Sequence, residues 1–243
     1  FDALDAALPG GGWPCRGLTE LLCPQAGVLE WRLLGPALRA QTAGRKADRP
    51  ADRKARVMLV APPWPPHAPG LKSMGIDERR LVWIDASAPA ERLWVVEQLL
   101  RARSPGCVLA WLPDARAGQL RRLQVLAGQA GADRGPVFIF RGRAAAHESS
   151  PAPLRVLAWP GEGWMLHVDL LKRAGAPLGQ VLALPAAPPG LAGLLPPGRQ
   201  GGWLGHPAWP ASLAAPPVCP ETPDVVGRPA AIRSHRKQRP FAH

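Results

Sequence analysis

The chain has 243 residues, a formal net charge of +12 and four cysteines, which allows one medium domain with appendages, or two small ones, and a core able to fold alone. No apolar run reaches 18 residues, which excludes a transmembrane helix, and none of Cys15, Cys23, Cys107 and Cys219 forms a C-x-x-C pair, which argues against a zinc site. The excess of base over acid calls for nucleic acid or an acidic protein surface as partner, and the unpaired thiols fit a reducing cytoplasm.

The chain opens on Phe1 rather than Met, so its natural start is expected to lie upstream, and no charged-then-apolar signal segment appears. From Phe1 to Trp31 a Gly-rich turn (Gly10, Gly11, Gly12) leads through Pro14 and Gly17 into the apolar run Leu18 to Leu22. Strand, loop and helix in that order are the setting of a phosphate-binding loop. A working loop reads G-x-x-x-x-G-K-[ST]; here Cys23, Pro24, Gln25, Ala26, Gly27, Val28, Leu29, Glu30 and Trp31 fill the place. There is no lysine for a terminal phosphate and no hydroxyl for magnesium, and Glu30 is expected to repel a phosphate. The glycines at 10–12 are read as supplying positive φ for a turn rather than as a phosphate cradle.

Val28 to Gln41 reads as a helix that Gly35-Pro36 should kink or interrupt. Four short apolar runs follow: Val57 to Ala61 after a basic approach (Arg53 to Arg56), Leu81 to Ile84, Cys107 to Leu112, and Val137 to Phe140. Runs without alternation are strands buried on both faces of a parallel sheet. Between them lie two helices. Ser87 to Arg103 offers a Ser cap, Pro89 in the first turn and an apolar face of Leu93, Val96, Leu99 and Leu100. Asp114 to Ala130 carries Leu120, Leu123, Leu126, Ala127 and Ala130 at helical spacing. The alternation gives an α/β fold with a mostly parallel sheet flanked by helices. Leu154 to Trp159, Gly163 to Val168 and Gln180 to Leu184 read as an antiparallel extension at the sheet edge, with Pro160-Gly161-Glu162-Gly163 as a tight turn.

Residues 1–184 therefore form the core, and 185–243 a Pro/Gly-rich and basic C-terminal region, extended or partly disordered. Pro185 to Pro223 holds 11 prolines and 6 glycines, so no element is expected there. Trp203 and Trp209 within it are candidate partner anchors. Arg228, Arg233, Arg236, Lys237 and Arg239 form an acid-free tail able to settle on DNA or an acidic groove. Arg141, Arg143 and Arg155 flank the loop 142–153 as a candidate DNA-facing patch, and Asp85 ends its strand where α/β ligands usually sit. His67, His147 and His167 stand alone, with no Ser-His-Asp or Cys-His arrangement.

The run LDAALPGGGWPCRGLTELLCPQAG resembles the opening of the RecA recombinase core. With LTELLCPQ followed by Glu-Trp-Arg-Leu-Leu, the chain resembles the ImuA family, RecA-like proteins associated with bacterial translesion DNA synthesis. The resemblance spans about residues 1–184. It implies a RecA-like fold and, as partners, the ImuB-type Y-family polymerase homologue, an error-prone replicative-type polymerase and RecA, with DNA contact in the working complex. More distantly, the chain resembles the SulA-type division inhibitors.

Four departures from an active RecA accompany the resemblance. The loop lacks its lysine and hydroxyl. Pro62, Pro63, Trp64, Pro65 and Pro66 stand where RecA has a catalytic glutamate. Trp111 or Leu112 takes the place of the magnesium-linked Asp, with Asp114 late. Arg141 replaces a nucleotide-sensing Gln, before a shortened loop. Phosphoryl transfer depends on positioning and charge stabilisation by Lys, Mg²⁺ and a water-orienting group, so a pseudo-ATPase is expected, with no catalytic residue, metal or cofactor. The alternatives are a divergent ATPase using Arg32, Lys46 and Asp114, and a SulA-like division inhibitor.

Overall fold

The computed structural model describes residues 1–43, 56–102, 106–129, 135–192 and 194. Eight strands among them form one sheet: β1 (Leu18–Cys23), β2 (Arg56–Val60), β3 (Leu81–Ile84), β4 (Gly106–Trp111), β5 (Val137–Gly142), β6 (Leu154–Pro160), β7 (Met165–Lys172) and β8 (Leu182–Pro185). Their spatial order is β3-β2-β4-β5-β1-β6-β7-β8. The first six in that order are mutually parallel, and β7 and β8 add an antiparallel edge. The helices are α1 (Asp2–Ala7), α2 (Glu30–Thr42), α3 (Ala68–Ser73), α4 (Pro89–Arg101), α5 (Ala117–Gly128) and α6 (Pro189–Ala192). None is long and apolar enough to cross a membrane.

The sheet separates two apolar cores, which explains the continuous hydrophobic runs. In β4, Cys107, Leu109 and Trp111 point into one core, and Val108 and Ala110 into the other. In β5, Phe138 and Phe140 oppose Val137 and Ile139 in the same way. The first core is closed by Leu4 of α1, Leu33, Leu34 and Leu38 of α2, and Leu71 of α3. The second is closed by Val96 and Leu100 of α4 and by Leu120, Leu123 and Ala127 of α5. Each central strand is therefore buried on both faces, and alternation disappears from its sequence.

Several boundaries differ from the sequence-based expectations. Helix α2 runs unbroken through Pro36. The proline removes one backbone hydrogen bond, but three buried leucines hold the segment against the sheet. Helix α4 starts at Pro89 with Ala88 extended before it and no Ser87 cap. Pro89 fixes the first helical φ and keeps its predecessor out of the helical region. Helix α5 starts at Ala117 rather than Asp114, with Gln119 Oε1 accepting the Arg116 amide at 2.8 Å. Strand β6 is not part of the antiparallel extension: it lies parallel to β1, with Glu20 opposite Arg155. The turn at 160–163 does return the chain antiparallel, as expected, with the Gly161 amide donating to Met165. The boundary expected at 184 falls within β8, and residues 195–243 lie outside those described.

At Gly106 a close backbone approach requires glycine. Gly106, at φ +130°, begins β4 where a Cβ would lie 2.0 Å from the Arg56 carbonyl oxygen of β2. Gly106→Ala is expected to cost about 2–4 kcal/mol, because backbone, not a flexible side chain, must move. Urea denaturation of the variant measures it; a loss under about 0.5 kcal/mol contradicts this account of the β2–β4 junction.

Candidate functional site

The parallel strands end together at a cleft of about 470 Å³. Its walls include Cys23 at the end of β1 and Pro24 after it, Pro62 and Pro63 after β2, Asp85 after β3, Trp111 at the end of β4, and Phe140 and Arg141 of β5. Carboxyl ends of parallel strands are where open α/β sheets bind ligands. The Gly10–Gly12 turn leads into the opposite, N-terminal end of β1. Gly10 and Gly11 have φ of +87° and +73°, and a Cβ there meets nothing within 4 Å, so they serve the turn.

Between β1 and α2 lies the loop 24–29. Its amides would hold a phosphate in a working nucleotide loop, because they point inward and the helix dipole adds positive potential. Here they hold the side chain of Glu30. Glu30 Oε1 accepts the Gly27 amide at 2.6 Å, and Oε2 accepts the Leu29 amide at 3.0 Å. The Trp111 indole Nε1 donates to Oε1 at 3.1 Å. Glu30 is 1% exposed. Gly27 has φ +83°, and a Cβ there would come within 2.7 Å of the Trp64 ring and 3.1 Å of Pro63. The Trp64 indole thus lies against the outside of the loop. The Trp111 ring stacks on Phe140 with centroids 4.6 Å apart. Glu30 was expected to stand near a phosphate site and repel; the structure folds its carboxylate back into the donors themselves. In the loop, Pro24 and Gln25 are exposed, while Trp31, in the first turn of α2, is half-buried against the first core.

A second ionic site lies beside the cleft. Glu20, in the middle of β1, is 1% exposed and accepts from Arg141 Nη1 at 2.9 Å and Arg155 Nε at 2.6 Å. Arg141 Nη2 also donates to Glu148 at 2.7 Å, and Arg155 Nη2 to the Ala145 carbonyl at 2.6 Å. Arg141 and Arg155, expected as outward charges of a DNA-facing patch, are instead turned inward by Glu20. An unpaired carboxylate inside a central strand is too costly to leave, and two guanidiniums neutralise and saturate it. Their bonds to residues 145, 146 and 148 fasten the 3₁₀ turn Arg143–His147 to the sheet. Arg143 itself is exposed. The sequence carried the signal for this network: Glu20 interrupts the apolar run LTELLC, and a charge in a doubly buried strand requires buried partners.

Of the groups of the divergent-ATPase reading, neither Arg32 nor Asp114 lines the cleft. Arg32 donates to the Ala186 and Met165 carbonyls and lies 5.0 Å from the Trp164 ring. Asp114 is exposed and does not line the cleft, and Lys46 lies outside the described residues. So do Trp203, Trp209, Arg228, Arg233, Arg236, Lys237 and Arg239. Asp85 does line the cleft.

These surroundings shift the titration of Cys23, Cys107, Arg141 and Glu148. Burial, reinforced by the Glu30 carboxylate, pushes the Cys23 thiol above its ordinary range, and burial does the same to Cys107. Burial opposes the charge of Arg141, but hydrogen bonds to Glu148 and Glu20 outweigh it and raise the guanidinium further. The Arg141 hydrogen bond lowers the Glu148 carboxyl.

No protein-family model matches the chain, and no curated protein matches it. Among solved structures, the chain is similar to the crystal structure of SulA from Pseudomonas aeruginosa, at 22% identity and a TM-score of 0.38, over 51% of this chain and 97% of that one.

Three outcomes are expected. Glu20→Gln should lose about 3–5 kcal/mol in urea denaturation, because the buried Arg155 loses its carboxylate partner and Arg141 keeps just the exposed Glu148; an unchanged midpoint contradicts the network. The lowered folded-state pKa of Glu148 makes its contribution complete above the unfolded carboxyl value and lost as pH falls through the folded one. Glu148→Gln should therefore flatten the stability curve below about pH 4.5 and leave its shape near pH 7 unchanged. In native protein a thiol reagent should modify exposed Cys15 and spare Cys23 and Cys107 until denaturant is added; mass spectrometry of the labelled peptides reads this directly.

Proposed function

We propose that this chain is a RecA-like pseudo-ATPase, an accessory protein of damage-induced mutagenic translesion DNA synthesis in the cytoplasm. It acts through protein–protein contacts with the ImuB-type polymerase homologue, the error-prone replicative-type polymerase and RecA. One observation carries the pseudo-ATPase part: the donors that would hold a nucleotide phosphate are occupied by the buried Glu30 carboxylate. The tip of β4, where an acid would ligate magnesium, supplies an indole N–H to that same carboxylate. A phosphate arriving there meets a negative charge already seated in its donors. The strand order and the loop at the end of β1 support the RecA-like frame, and the pathway follows from the resemblance of residues 1–184 to the ImuA family. A rigid sheet without a chemical cycle serves as a platform, and the basic, proline-rich C-terminal region as its tether.

Pairwise binding of the full chain to the ImuB-type protein, RecA and single-stranded DNA over a salt series tests the reading. The protein partners should bind equally with and without ATP–Mg²⁺, and thermal melts should show no ATP–Mg²⁺ shift. A steep salt slope with DNA assigns the basic charge to phosphate contacts. A shift of several degrees with ATP–Mg²⁺ overturns the pseudo-ATPase, and binding only to a tubulin-like division protein overturns the pathway.

A further inference from the structure

We propose that Glu30 is a built-in stand-in for a phosphate group, holding the cleft permanently in the arrangement that a nucleotide loop adopts when filled. The proposal rests on the pseudo-ATPase reading and adds its regulation: a switch fixed in one position by an internal ligand.

The geometry separates this from an ordinary helix cap. Capping carboxylates sit at the rim of a helix, where water shares their lone pairs. Glu30 is the first residue of α2, yet its side chain is almost wholly buried and folds back onto two loop amides upstream of it. A third donor comes from a different part of the chain, the Trp111 indole at the end of β4, two strands away in the sheet. Trp111 in turn stacks on Phe140 of β5. One carboxylate therefore ties together the loop after β1, the start of α2, and the tips of β4 and β5. In a nucleotide-switched protein these parts are brought together by the phosphate and leave one another when it leaves. Here the tie is covalently part of the chain and cannot dissociate.

The outside of the loop is covered as well. The Trp64 ring packs against Gly27 so closely that no Cβ fits there, while 68% of that tryptophan remains exposed. The proline-flanked segment that carries it, 62–66, follows β2, so a fourth strand end joins the closed arrangement. Donors, dipole and cover are thus all present, and what they surround is an acid of the chain itself. A surface built on these strand ends has the same shape in the presence and absence of nucleotide.

The test vacates the nest and offers it the anion it lacks. Glu30→Ala leaves two amides and an indole without their acceptor, and the full-length variant should melt about 5–10 °C below the parent chain. Millimolar inorganic phosphate should recover at least half of that loss. It should move neither the parent chain nor Glu30→Gln, whose side chain still fills the space. An unrescued Glu30→Ala, or phosphate stabilising the parent chain equally, overturns the proposal. If Glu30→Ala does not fold, NMR of the parent chain decides. The Gly27 and Leu29 amide protons should be exchange-protected and unmoved by phosphate or ATP–Mg²⁺; a shift in either with phosphate overturns the proposal. A parent chain stabilised by ATP–Mg²⁺ overturns the pseudo-ATPase reading along with it. An ATP-blind parent chain with an unrescued Glu30→Ala overturns only the internal phosphate.

Discussion

A carboxylate in a cavity of backbone donors organises the functional end of this molecule. Glu30 reaches two amides of its own loop and an indole from β4, and a buried acid can stay charged only where such donors are fixed in advance. The loop supplies them because strand, turn and helix N-terminus aim successive N–H groups at one point. That arrangement favours any anion, whether it arrives as a ligand or hangs from the chain. An internal anion has the advantage of proximity: it loses no translational freedom on binding, so an external phosphate must displace a competitor that never leaves.

The second buried acid works differently. Glu20 sits in a strand covered on both faces, away from any helix end, and its charge is met by Arg141 and Arg155 from the strands on either side. Such a triad is a poor source of net stability compared with an apolar core, but losing one member leaves an uncompensated charge inside. Its structural effect is to fasten the segment after β5 to the sheet, since the guanidiniums reach residues 145, 146 and 148 as well. Both acids thereby stiffen the ends of the parallel strands. A cleft lined by Glu30 and by Arg141, the partner of Glu20, suits presentation of a fixed surface better than a cycle of opening and closing.

The parallel core was legible because its physics is local in sequence. Strands buried on both faces lose alternation, and β4, buried along its whole length, lies within one residue at each end of the run Cys107 to Leu112. Helices packed on one side keep a 3.6-residue spacing, so α4 and α5 were visible. Their starts were not, because Pro89 and Gln119 set them through backbone geometry and one side-chain bond rather than through the residue types expected at a cap. The short helices α1 and α3 were missed: at six residues each, they are too brief for periodicity to register and are held by core contacts of Leu4 and Leu71.

The sequence by itself determined that the loop after β1 lacks a lysine and a hydroxyl, that an acid follows it, and that the strand ends carry Trp111 and prolines in place of acids. Those are facts of composition at fixed positions, independent of how the chain folds. Only the tertiary structure decided which way the charges point. Glu30 turns into the donors instead of standing across from them, and Arg141 turns toward Glu20 instead of solvent. Side-chain direction depends on neighbours that are 81 residues away for Glu30 and Trp111, and 121 for Glu20 and Arg141. No local pattern encodes a hydrogen bond across such a separation; the register of the parallel strands does.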